Sequence, residues 1–146
     1  MISFFYESDF KLKQAKWWKE KLQEVVKAEN HETEEVNYIF CDDEYLLQIN
    51  QDFLQHDYYT DVIGFQYSED GPLVGDIYIS VERIQDNAET NGVSFENELA
   101  RVMIHGILHF MGYKDKSPEE EEKMRKGEEK YLPFFAKYPN VPRGTF

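Results

Sequence analysis

The segment His-Gly-Ile-Leu-His-Phe-Met-Gly-Tyr-Lys-Asp, residues 105–115, restricts what this chain can fold into more than any other. Residues four apart on a helix lie one above the other on the same face, so a helix here directs the imidazoles of His105 and His109 to one point. Gly112 stands where that helix would end, and a glycine there can take the left-handed conformation that turns the chain back. Asp115 can then swing toward the same point. Two histidines and one carboxylate suit a divalent ion such as zinc, and three protein ligands leave one tetrahedral position open, as in catalytic sites. A histidine pair alone also arises by chance on amphipathic helices. The full offsets, H-x3-H-x2-G-x2-D, match the ligand spacing of the metzincin proteases except that Asp115 replaces their last histidine. His105, His109 and Asp115 are therefore candidate metal ligands.

Gly106 weighs against a peptidase, because metalloproteases of this spacing carry a glutamate there as general base and glycine has no proton to move. Helical spacing leaves Glu98, rather than Glu96, as the upstream acid nearest the His105 face and a weak substitute. The stretch Val102–Met111 is apolar all round apart from its histidines, which predicts a helix running through the middle of the fold. Buried imidazoles need partners, and a metal is one.

A chain of 146 residues with 41% hydrophobic residues is expected to form one domain over residues 1–146. The single Cys41 fits a reducing compartment and reads as a small apolar residue ending a strand. The N-terminus has no basic signal region and no segment reaches bilayer-spanning length, so a soluble, cytoplasmic protein with no membrane partner is expected. The net charge is −13, and residues 28–82 contain no Lys or Arg. Tight, indiscriminate nucleic-acid binding needs cations that displace counterions from phosphates, so any RNA contact must be local. The lysine-rich stretch at residues 11–21, with Trp17 and Trp18, reads mainly as an amphipathic helix whose Leu12, Leu22 and one tryptophan pack inward.

Strands are predicted at residues 2–6, 36–41, 62–67 and 74–80, the last two joined by an Asp-Gly-Pro turn and hence antiparallel. Helices are predicted at about 10–28, 43–54, 81–90, 95–111 and 118–131. Ser94 and Ser117 read as N-caps, and the acid run after Pro118 as a solvated helical face. The expected fold class is α+β, a small mixed sheet of about four strands packed with about five helices.

Three blocks in this order resemble the YbeY family of bacterial endoribonucleases and ribosomal RNA maturation factors: NQDFLQHDYYTDVIGFQY at 50–67, VGDIYIS at 74–80 and HGILHFMGYKD at 105–115. The glycine between the histidines belongs to the family pattern. The resemblance implies a zincin-like fold and a zinc-dependent endoribonuclease acting on single-stranded or ribosomal RNA, in rRNA maturation and ribosome quality control. The implied partners are the ribosome or ribosomal proteins, and no DNA is expected. His105 and His109 fall on family zinc ligands, while the family's third histidine falls on Asp115. Its RNA-holding arginine falls on Leu54, its lysine on His56 and its proline on Tyr59, whereas Asn50, Asp57, Thr60, Asp61 and Val62 are kept. The candidate catalytic residues are His105, His109, Asp76 as an orienting carboxylate and His56 as a phosphate contact or proton shuttle. Asp57, Thr60, Lys114 and Lys116 are candidate substrate contacts. A carboxylate ligand also suits harder ions than imidazole does, so manganese or cobalt could replace zinc. Two further readings stay open: a metallohydrolase of another substrate, peptides included, and a ribosome-assembly factor whose metal is chiefly structural.

Overall fold

A computed structural model of the chain describes residues 1–136. Four strands, β1 (Ile2–Tyr6), β2 (Thr33–Cys41), β3 (Val62–Gln66) and β4 (Leu73–Ser80), form one sheet in the order β1-β2-β4-β3. The β1/β2 and β2/β4 pairs are parallel, and β3 runs antiparallel to β4 along one edge. Five helices accompany them: α1 (Ala15–Ala28), α2 (Asp43–Leu54), α3 (Val81–Asn91), α4 (Phe95–Phe110) and α5 (Pro118–Tyr131). This is the α+β architecture the sequence predicts. Among the described residues no helix is long and apolar enough to cross a membrane.

Alternation along the strands decides which helix covers which face. Val36, Tyr38 and Phe40 of β2 and Ile77 and Ile79 of β4 join Trp18 and Leu22 of α1 and the apolar residues of α4 in the main core. Cys41 and Ile63 point the other way and pack with Leu46 of α2. Cys41 ends β2 fully buried, and burial, helped by nearby Asp42 and Asp43, pushes its thiol up to about 12, which leaves it unreactive. Helix α4 is the most enclosed of the helices, and Ser94 caps it by accepting a hydrogen bond from the Asn97 amide. Tyr38 on β2 donates to the carbonyl of Met103 at 2.8 Å, fastening the helix to the sheet.

Three local departures from the sequence expectation have physical causes. Helix α1 starts at Ala15 rather than near residue 10, because Gln14 takes a left-handed conformation and Phe10 packs instead from a non-helical segment onto Phe40 and Phe95. Strand β2 begins at Thr33, where Glu34 and Glu35 are exposed and hide the strand pattern. A short 3-10 turn at Leu132–Phe135 follows α5 and stacks Phe135 on Trp18 at 5.5 Å.

Gly106 faces β4, and a Cβ on it would lie 3.1 Å from Ile77 Cγ2 and 3.2 Å from Ile77 Cδ1. The glycine lets α4 seat closely on the sheet. Gly106→Glu should therefore destabilise the fold by on the order of 3 kcal/mol through overpacking and a buried charge, and should confer no peptidase activity. Thermal unfolding and a casein digestion assay check both outcomes.

Candidate metal centre

His105 and His109 stand on successive turns of α4, partly covered, with ring centroids 4.7 Å apart and planes at 76°. Beyond the helix Gly112 takes φ 98°, and the reversed chain carries Asp115 back. Its Oδ2 lies 3.4 Å from His105 Nε2 and 3.2 Å from His109 Nε2. Ligand atoms of the three residues all lie within 4.8 Å of one another. A tetrahedral zinc ion with bonds of about 2.0–2.2 Å has ligand atoms about 3.3–3.6 Å apart, so the donor set fits such an ion in chemistry and the two distances to Asp115 lie close to that spacing. Among the described residues no other group of three or more histidine, cysteine or acidic side chains converges in this way.

A second layer of charge fixes His105. Glu128 on α5 places Oε2 2.7 Å from His105 Nδ1. A carboxylate only accepts, so it holds the proton on Nδ1 and leaves the Nε2 lone pair facing Asp115. Two acceptors 3.4 Å apart are stable only with a proton or a cation between them. Arg101 clamps this layer from below, reaching Glu128 at 3.2 Å and Glu98 at 2.5 Å. Burial alone would lower the guanidinium's pKa, but the bonds to Glu98 and Glu128 outweigh it and raise it, so Arg101 stays charged. Gly127 makes the approach possible, because a Cβ there would lie 2.9 Å from both Leu108 and Tyr113. Asp61 stands close by, and burial raises its pKa against the opposing pull of Arg101 and His105.

The triad opens into a cleft of about 830 Å³ between α4 and the edge strand β3, closed at one end by α2 and the loop after it. A shallower hollow continues past His109, Gln66 and Phe110 toward His31 and Ser68.

A family model described as Endoribonuclease YbeY matches residues 5–136. A protein from Flavobacterium psychrophilum named Endoribonuclease YbeY is 52% identical over 135 residues, covering 92% of this chain and 96% of its own. One of the same name from Cytophaga hutchinsonii is 48% identical over 132 residues, covering 88% and 92%. The chain belongs to the YbeY family. A protein of Thermotoga maritima, solved in solution, superposes with a TM-score of 0.63 at 34% identity, over 97% of this chain and all of that one. The mixed sheet and the histidine-bearing helix thus sit in a fold the family shares.

The structure gathers most, but not all, of the residues that sequence reasoning put at this site. His56, Thr60 and Lys116 line the cleft with the triad, as does Leu54. Asp57 accepts from Gln51 Nε2 at 2.7 Å on the outside of the loop, and neither it nor the exposed Lys114 lines the cleft. Asp76 is a correction. Its neighbours Gly75 and Ile77 face α4, so strand alternation turns Asp76 to the opposite face, where Asn37 and Tyr67 donate to it at 3.0 and 3.1 Å. It cannot orient a group on the ion. Glu98 does not replace a general base either, being buried and engaged by Arg101. Glu128 and Arg101 are the residues sequence reasoning missed. The one available signal was Gly127, a helix-weakening residue inside an otherwise charged helix, which marks a close approach.

Glu128→Ala should weaken metal affinity by about 10- to 100-fold, whereas Glu128→Gln, which can still accept from Nδ1, should lose less. Competition with a chromophoric chelator measures this directly, with thermal unfolding of the metal-free forms as the control for folding.

Proposed function

We propose that this chain is a metal-dependent endoribonuclease cutting single-stranded RNA, with zinc held by His105, His109 and Asp115. The observation that carries the reading is the convergence of these three side chains at the wall of an open cleft, in a chain of the YbeY family. When bound, the ion would act as a Lewis acid beside a phosphodiester, lowering the pKa of bound water and offsetting charge that develops during in-line displacement.

The protein's own residues supply position and electrostatics. Glu128 sets the tautomer and direction of His105, and Arg101 holds Glu128 in place. The apolar side chains of α4 hold both imidazoles against a dry core, which limits their motion to the cleft side. Lys116 and Thr60 line the cleft where they can donate to phosphate oxygens, and His56 can donate or transfer a proton there. In the cell the substrate is ribosomal RNA presented by the ribosome or its proteins, because Leu54 and the bulk negative charge leave few contacts for free RNA. Manganese or cobalt can replace zinc at a site with one carboxylate. Of the two other readings, a peptidase is opposed by Gly106, which is packed on Ile77 and has no room for a base. An assembly factor with a structural metal is favoured only by Leu54 and the net charge of −13.

The metal-loaded protein should cleave single-stranded RNA oligonucleotides and leave casein intact, and His109→Ala should lose about a thousandfold or more of that cleavage together with its metal. Elemental analysis and a gel-based cleavage assay test both; metal-loaded protein that cuts no RNA overturns the reading. Leu54→Arg should bind RNA more tightly, with a salt dependence steeper by about one phosphate contact, measured by anisotropy across a salt series.

A further inference from the structure

The cleft is poor in phosphate grips. Its walls carry the carboxylates Asp61 and Asp115 against a single cation, Lys116, and Leu54 presents an aliphatic side chain. A single strand can also be held by its bases, since aromatic side chains stack any base whatever the sequence. One place in this cleft is built for that.

His56 and Tyr58 lie face to face, ring centroids 5.1 Å apart and planes at 21°, with the tyrosine hydroxyl 2.9 Å from His56 Nδ1. Both line the cleft that holds the triad, and Tyr58 is 56% exposed. Buried Asn50 fixes the loop beneath them: its side-chain amide donates to the Tyr58 carbonyl at 2.8 Å, and its own carbonyl accepts from the His56 amide at 3.0 Å. The adjacent Tyr59 has a different fate. Its hydroxyl donates to Glu44 at 2.6 Å and its ring lies under Arg83, away from the cleft. The loop therefore spends one tyrosine on its own anchoring and leaves the other, stacked on His56, more than half exposed in the cleft lining.

We propose that the His56–Tyr58 pair is a stacking subsite for one nucleobase of a single-stranded RNA, beside the phosphate that faces His105, His109 and Asp115. The proposal rests on the endoribonuclease reading and adds to it where the strand is gripped. Binding of RNA is then carried mainly by a base rather than by phosphates, and the site accepts any base with a free face while excluding paired ones, whose faces are already stacked.

The test is a two-by-two comparison with metal-loaded protein. Wild type and Tyr58→Ala are each assayed on a single-stranded oligonucleotide and on a set of the same oligonucleotide bearing one abasic position, scanned across the nucleotides that flank the cleaved bond. Tyr58→Ala should raise KM on the intact strand roughly tenfold, the loss expected for one stacked base, with the effect on KM rather than on kcat. At one abasic position wild type and variant should have the same KM, because the partner of the ring is already gone. Tyr58→Phe, which keeps the ring and loses the bond to His56, should stay close to wild type. A loss from Tyr58→Ala that is equal on intact and on every abasic strand, or that falls on kcat alone, overturns the subsite while leaving the endoribonuclease reading in place. Wild type that cleaves neither strand overturns that reading and the subsite with it.

Discussion

The seating of α4 on the sheet is the contact from which the functional geometry follows. The helix is apolar on almost every side, so burial drives it under the strands, worth roughly 1.5–3 kcal/mol for each large side chain removed from water. The same helix must hold two imidazoles at the cleft wall. Gly106 reconciles these demands, because its missing side chain lets the helix approach Ile77 with His105 and His109 on the flank that faces β3. A glutamate at that position would separate helix and sheet, so packing excludes the general base of a peptidase before any question of chemistry arises.

Charge organises the next layer. Around His105 the chain collects Glu98, Asp61, Asp115 and Glu128 with one guanidinium, that of Arg101, among them. Such a group is stable only if each carboxylate has a donor, and Arg101 satisfies two of them from a half-buried position. Glu128 accepts the hydrogen bond from His105 Nδ1, which leaves Asp115 facing the Nε2 lone pair of that ring. A divalent cation resolves that confrontation. The excess of acceptors at the triad is thus the local counterpart of the chain's overall negative charge.

That charge shapes how a polyanion can be held. With one lysine in the cleft and an aliphatic side chain at position 54, Coulomb attraction supplies little affinity, and any that Lys116 supplies is weakened by salt. Stacking is indifferent to net charge, and a tyrosine ring braced by a histidine and a buried asparagine offers it at low entropic cost. An acidic cleft can in this way hold RNA with a single lysine in its lining.

The amino-acid sequence by itself determined α4 and the convergence of His105, His109 and Asp115, because all three lie within residues 105–115 and their approach needs only helical periodicity and a glycine turn. The strands and helices followed from local patterns as well, apart from ends such as the start of β2, where pairing in the sheet overrides exposed glutamates. Tertiary structure alone decided the rest. Alternation says that Asp76 and Ile77 face opposite ways, but not which face α4 covers, so Asp76 read as a site residue until the packing turned it away. Of the adjacent Tyr58 and Tyr59, only contacts with Asn50, Glu44 and Arg83 determine which one reaches the cleft. Glu128 is 23 residues from His105 on a helix whose pattern reads as solvated, and only the close approach through Gly127 brings the two together. Local spacing encodes what a single element can present; the partners of that element depend on how distant segments pack, a free energy summed over the whole core.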